Sequence, residues 1–311
     1  MSFFDQFWQL TVTGLQIGAI YAVIALGYTL VYGVLQLINF AHSEVFMLGS
    51  FGGLFAVRAL MPGGGPSSAA ASIGLVAAGL VLGALCGGLA AYALERTAYR
   101  PLRRRGAPKL AYLISAIGAS LFASNLAGKE FGRDSVNLPH DLFAYRSEVF
   151  SVFGARVSRL DLVVFLVALA MLLVLDRIVS GTKLGQGIRA VAQDADTASL
   201  MGVDVERVIV LTFVLGGLLA GAGGFLYAMK FNASFTMGFI PGVKAFTAAV
   251  LGGIGNVRGA VLGGIVLGLV ENYGQFFLGP SYTDVVAFLV LVAILLVRPS
   301  GLLGERLGRA A

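Results

Sequence analysis

From Leu10 to Leu37 the chain carries no Lys, Arg, Asp or Glu, and this apolar run exceeds the roughly 20 residues that a helix needs to cross the hydrocarbon of a bilayer. Inside lipid every backbone N–H and C=O must find a partner within the chain, and a helix supplies those partners locally. Similar runs recur at Ala69–Leu94, Leu110–Gly128, Asp161–Leu175, Val208–Met229, from Gly259 onward, and at Val285–Val297. Two further stretches, Ile38–Met61 and Phe239–Gly264, are apolar but interrupted by polar groups and glycines, and read as broken or re-entrant segments. The expectation is an all-α polytopic membrane protein, one domain over residues 1–311, with about nine membrane segments. Composition agrees, since 58% of residues are hydrophobic and 12% charged, against about a quarter charged in a soluble domain. The 43 glycines suit helices that pack closely without a hydrophobic drive for association.

The direction of threading follows from Lys and Arg in short loops. Arg96, Arg100, Arg103, Arg104, Arg105 and Lys109 place the loop after the third segment in the cytoplasm. Alternation then brings Gly181–Arg207, Arg298, Arg306 and Arg309 to the same side and leaves the N-terminus outside, with Trp8 as an interfacial anchor. No Lys or Arg precedes the first run, which argues against a cleaved signal peptide. The connector from Lys129 to Arg159 reads as an extramembrane loop. The net charge of +6 is gathered beside apolar spans rather than interleaved with aromatics, which favours the lipid bilayer over nucleic acid as a partner.

Between the fifth and sixth of the nine segments lies GTKLGQGIRAVAQDADTASLMGVDVERV, Gly181–Val208. Ile188, Val191, Ala195, Ala198 and Met201 recur at helical spacing on one side, with Arg189, Gln193, Asp194, Asp196 and Thr197 on the others. Gly202 suits the left-handed conformation that ends a helix, and Asp204 with Glu206 can cap the next one. One short amphipathic cytoplasmic helix is therefore expected within about 181–207. On pattern alone it is either a docking surface or a plain connector.

Several enzyme classes find no support. The histidines are His42 and His140, with no HExxH zinc motif. Residues 49–52 read GSFG rather than GxSxG, which disfavours a serine protease. Gly128-Lys129 is followed by Glu130 and lacks the upstream glycine of a Walker A loop, so the chain cannot by itself hydrolyse ATP. Cys86 is alone and is expected to be a packed thiol. Neither a cofactor nor a metal site is expected.

Asp196-Thr197-Ala198-Ser199-Leu200-Met201-Gly202 resembles the EAAxxxG loop through which ABC-importer permeases engage their ATPases, with Asp for Glu and Thr for Ala. The Ile-x-Leu-Pro that follows in that motif is missing, since Thr212–Leu215 stands there. A wider likeness runs nearly end to end. AIYAVIALGYTLVYGVLQLINFAHSEVFMLGSF, ERTAYRPLRR, LISAIG, ASLMGVDVERVIVLTFVLGG and GVKAFTAAVLGGIGNVRGAVLGG resemble the LivH-type permeases of branched-chain amino acid ABC importers. One departure is Ser43-Glu44, where the family usually has Gly-Glu after Asn-Phe-Ala-His. The resemblance implies a bacterial inner-membrane importer with a second, LivM-like permease, two ATP-binding subunits and a periplasmic solute-binding protein that delivers the amino-acid substrate. Asp196, Thr197, Ala198 and Gly202 would then form the ATPase-coupling contact.

Polar groups within apolar segments are candidates for the translocation path, because a charge at membrane depth must face protein or water. These are Asn39, His42, Glu44 and Glu271, each of which could equally belong to a structural hydrogen-bond cluster. Glu44 is expected to hold its segment through backbone or Ser43 contacts, and Glu271 with Asn272 either to interrupt their span or to lie at its outer end near the interface. Lys244 and Arg258 are expected to anchor the ends of the short Pro241–Ile254 segment. Uptake of urea or short amides is the nearest rival reading. An ATP-independent transporter or channel leaves the EAA-like helix without a purpose, and a purely structural scaffold leaves the buried polar groups unexplained.

Overall fold

The structure, a computed structural model, describes residues 3–61, 69–137, 148–152 and 154–304. Helices α1 (Phe3–Leu35) and α2 (His42–Ala59) are followed by α3 (Ala69–Leu94), which continues through a π-helical turn, Glu95–Tyr99, into α4 (Arg100–Arg104). Next come α5 (Lys109–Glu130), the strands β1 (Glu148–Val152) and β2 (Ala155–Ser158), and α6 (Arg159–Gly181). The short α7 (Lys183–Gln193) and α8 (Ala195–Leu200) lead into α9 (Val205–Lys230), α10 (Phe239–Gly252), α11 (Val257–Leu278) and, after a 3-10 turn, α12 (Thr283–Val297). Among the described residues 7 helices are long and apolar enough to cross a membrane. The other two expected segments are α2, 18 residues bearing Glu44 and Arg58, and α10, 14 residues long.

The antiparallel hairpin β1–β2 departs from the purely helical expectation. It lies in the connector read as extramembrane, and it is tied to the start of α1 where the Arg156 backbone N–H donates to Gln9 Oε1 at 2.8 Å. His140, Arg306 and Arg309 fall outside the described residues.

Helices α1 and α9 are the pillars, the most deeply buried of the long apolar helices. Glycine makes this possible by letting backbones meet. Gly14 and Gly18 of α1 lie against Leu269 and Ile265 of α11, antiparallel to it. On α9, Gly217 and Gly221 face Gly87 and Gly83 of α3, Gly224 faces Phe46 of α2, and Gly216 faces Gly27 of α1. The outward faces of α3, α5, α6 and α12 stay apolar and exposed, as lipid-facing helices should.

Three expectations are corrected. α11 runs unbroken through Glu271 and Asn272, because the Asn272 amide turns back to the Gly268 carbonyl at 2.8 Å and Glu271 is neutralised by a neighbour. Lys244 is no end anchor: it is buried in α10, where two carboxylates hold it. Cys86 is exposed rather than packed away, its Sγ resting over Gly52 of α2.

The end of α10 is fastened from an unexpected direction. Gly253 (φ +108°) takes a backbone path that side chains rarely follow. It lets residues 301–304 fold back, so that Leu302 and Leu303 donate backbone N–H groups to the Leu251 and Gly252 carbonyls at 2.8 and 2.9 Å.

Candidate coupling surface and translocation path

The polar connector is two helices rather than one. Thr182 caps α7 by accepting from the Gly185 backbone N–H at 3.2 Å. The break comes at Asp194, an extended residue whose Oδ1 accepts from the backbone N–H groups of Asp196 and Thr197 at 2.9 and 3.1 Å. Its Oδ2 accepts from the Thr197 hydroxyl at 2.7 Å. Asp competes well for these orphan amides at a helix start, which is why the periodic pattern divides there. The Thr197 hydroxyl and backbone hold the Asp194 carboxyl below its ordinary range. A lowered value means that the charged cap is present at neutral pH and fades only as pH falls through it.

Ile188, Val191 and Ala198 are buried against Val31, Val34, Tyr99, Val208, Ile209 and Phe213, fixing α7 and α8 to the ends of α1 and α9. Met201, expected on the same side as these three, is instead 81% exposed beside Leu200 at 88%. With α8 restarted at Asp194, the register no longer brings Met201 inward. Asp196, Thr197 and Gly202 are exposed, while Ala198 is the residue that seats the helix. Gly202 has φ +85° with open space around it, so backbone conformation alone demands glycine there. Asp204 then caps α9 through the Arg207 N–H at 3.0 Å, whereas Glu206 pairs with Arg100 and Arg104.

The first turns of α2 and α10 meet inside the protein. A Cβ on Gly238 would fall 2.7 Å from the Ser43 carbonyl oxygen and 2.8 Å from Glu44 Oε2, and one on Gly242 would fall 2.4 Å from Ser43 Cβ. Asn39 Oδ1 accepts from the Ala41 N–H at 3.1 Å and from the Tyr99 hydroxyl at 2.9 Å, closing the turn that starts α2. His42 is buried with its ring against Tyr28 at 4.7 Å. Glu44 is held by the Ser120 hydroxyl of α5 at 3.0 Å, and not by Ser43, whose hydroxyl goes to the Phe40 carbonyl at 2.7 Å. Glu44 Oε2 and His42 Nε2 are buried without a partner. Glu44 sits where the N-termini of α2 and α10 converge, an arrangement that favours negative charge, whereas His42 Nε2 is turned toward Gly27 of α1.

Glu271 belongs to a separate cluster. Lys244 Nζ reaches Glu271 Oε1 and Asp284 Oδ1, both at 2.7 Å, and the Tyr21 hydroxyl donates to Glu271 at 3.3 Å. Sequence reasoning missed Tyr99, Ser120 and Asp284 as partners; a lysine within an apolar segment was the available signal for this cluster. Ser50 is buried, its hydroxyl donating to the Met47 carbonyl at 2.7 Å and lying 3.1 Å from Met237 Sδ.

The sequence profile of the family described as branched-chain amino acid transport system / permease component matches residues 10–295. The chain belongs to that family. This permease is 40% identical over 305 residues to the high-affinity branched-chain amino acid transport system permease protein LivH of Escherichia coli (strain K12), covering 97% of each. It is also 40% identical over 301 residues to BraD of Pseudomonas aeruginosa, covering 96% of this chain and 95% of that one. Among solved structures, PsaBC from Streptococcus pneumoniae in complex with Fab is similar at TM-score 0.47 and 14% identity, over 94% of this chain and 92% of that one.

Proposed function

We propose that this permease is the membrane subunit of an ABC importer that passes branched-chain amino acids, delivered by a periplasmic binding protein and driven by separate ATP-binding subunits. A second, LivM-like permease completes the pathway. The observation that carries the reading is the match to branched-chain amino acid permeases over nearly the whole chain, joined to an exposed, firmly seated helix pair at one end of the bundle. On this reading Asp196, Thr197 and Gly202 meet the ATPase, with Leu200 and Met201 adding apolar contact, while Ala198 holds α8 in place. A push on α8 reaches α1 and α9 through the cluster around Phe213. Asn39, His42 and Glu44 shape the path where α2 and α10 meet, and Glu271 acts through Lys244 on the far side of α10.

Reconstituting the purified assembly in liposomes with leucine-loaded binding protein tests this. ATP-dependent leucine uptake is expected from the full complex and none from this chain alone. Gly202→Val, a β-branched residue forced to positive φ, should cut stimulated ATPase activity and uptake together while leaving the yield of assembled complex intact. Ion-gradient-driven uptake by the lone chain would sink the proposal, as would transport of urea in preference to leucine.

The same reading puts the N-terminus outside the inner membrane and the α4 and α7–α8 region in the cytoplasm. On a Cys86→Ser background, needed because that thiol is exposed, a cysteine at Arg104 should react with membrane-impermeant maleimide only in inside-out vesicles. Labelling in right-side-out cells would reverse the orientation.

A further inference from the structure

Helices α3 and α9 touch through glycines as far as Ala91 against Gly217. Beyond that point the small residues give way to Tyr92 on α3 and to Val210 and Leu211 on α9, and the helices part around a cavity of about 380 Å³. The cavity has two halves. One is apolar and opens toward the lipid-facing surface, with Tyr92 43% and Leu211 44% exposed. The other is lined by Arg96, Arg100 and Arg207, with Asp204 and Glu206 beside them. The π-helical turn carries Arg96 into this lining together with Arg100, four residues on, while buried Glu95 draws Arg103 away at 2.8 Å. Such turns are frequent at functional sites.

Both carboxylates are already taken. Glu206 is shared by Arg100 and Arg104, and Asp204 is occupied by the Arg207 side chain at 2.9 Å and by the N-terminus of α9. Among the described residues Arg96 pairs with no carboxylate, and Arg100 Nε is buried without a partner. Four guanidinium groups against two carboxylates leave a surplus of positive charge at the mouth of a helix N-terminus. Apolar walls continuous with the membrane face and unspent guanidinium donors at one end match a molecule with a phosphate head and a hydrocarbon tail.

We propose that this cavity binds an anionic phospholipid, its phosphate held by Arg96, Arg100 and Arg207 and its acyl chain lying along Tyr92 and Leu211. A basic recess between membrane helices at the cytoplasmic interface is suited to such headgroups.

The test uses the assembled complex in mild detergent with phosphatidylglycerol or phosphatidylcholine added in parallel, and native mass spectrometry reads the bound lipid. Phosphatidylglycerol should be retained in preference. Arg96→Gln with Arg207→Gln should lower its retention by about fivefold per arginine, whereas Arg105→Gln, outside the lining, should leave it unchanged. Leu211→Trp provides an independent arm, since it fills the apolar half without touching charge and should also displace the lipid. Equal retention of the two lipids, or loss of phosphatidylglycerol on adding millimolar inorganic phosphate with no effect of Leu211→Trp, would overturn the proposal in favour of non-selective lipid or a free-phosphate site. Retention only when the ATP-binding subunits are stripped away would overturn it too, and assign the cavity to that partner.

Discussion

Replacing Gly221 by leucine is expected to abolish accumulation of the folded permease. Three helices meet at this residue of α9: a Cβ there would fall 2.2 Å from the Gly83 carbonyl oxygen and 3.0 Å from Gly87 Cα, and a Cβ on Gly49 of α2 would fall 2.1 Å from Gly221 Cα. Overfilling a core that can repack costs about 1–3 kcal/mol. Here the opposing atoms are backbone on both sides, so no rotamer change relieves the clash and the helices must separate. Gly33→Ala in α1 is the control, because nothing lies within 4 Å of its added Cβ and helix propensity gains about 1 kcal/mol. Monodisperse yield after detergent extraction should collapse for Gly221→Leu and hold for Gly33→Ala. Equal yields would mean that the α2–α3–α9 junction does not support the fold.

Removing the charge of Lys244 should have the next largest effect. With Lys244→Met, Glu271, whose side chain is 7% exposed, keeps only the Tyr21 hydroxyl, and its Oε2 already lacks a partner. Breaking a buried pair by deleting one partner costs about 3–5 kcal/mol, since the other charge stays behind. Asp284, 46% exposed, can be left to solvent. Lys244→Met combined with Glu271→Gln should therefore recover most of the thermal unfolding midpoint lost by Lys244→Met alone. A double variant no more stable than the single one would show that Lys244 acts through Asp284 instead.

The long segments were legible because hydrocarbon leaves the chain few options: apolar runs of sufficient length become helices whatever surrounds them. The two interrupted stretches read as broken or re-entrant, yet their helical parts, α2 and α10, run unbroken over His42–Ala59 and Phe239–Gly252. The connector was legible as amphipathic, yet not as two helices. A local contest decided that point, in which the Asp194 carboxylate takes two backbone amides that a continuous helix would have spent on carbonyls. The partners of the polar groups were hidden because they come from remote parts of the chain. Tyr99 meets Asn39 across 60 positions and Ser120 meets Glu44 across 76, separations that periodicity cannot register. Lys244 was placed at a boundary on the general habit of lysines in membrane segments, whereas Glu271 gave it reason to stay inside.

The antiparallel seam between α1 and α11 has a consequence for how the molecule is made. Tyr21 and Glu271 stand 250 positions apart, and at about 5–20 residues per second of synthesis their meeting lags the birth of α1 by roughly 12–50 s. Throughout that interval Gly14 and Gly18 present an unfilled notch to lipid, because the helix that fits it has not been translated. The face of α1 that meets α11 is thus among the last to be covered, and ribosome stalling late in the message would strand a chain in which that seam is still open.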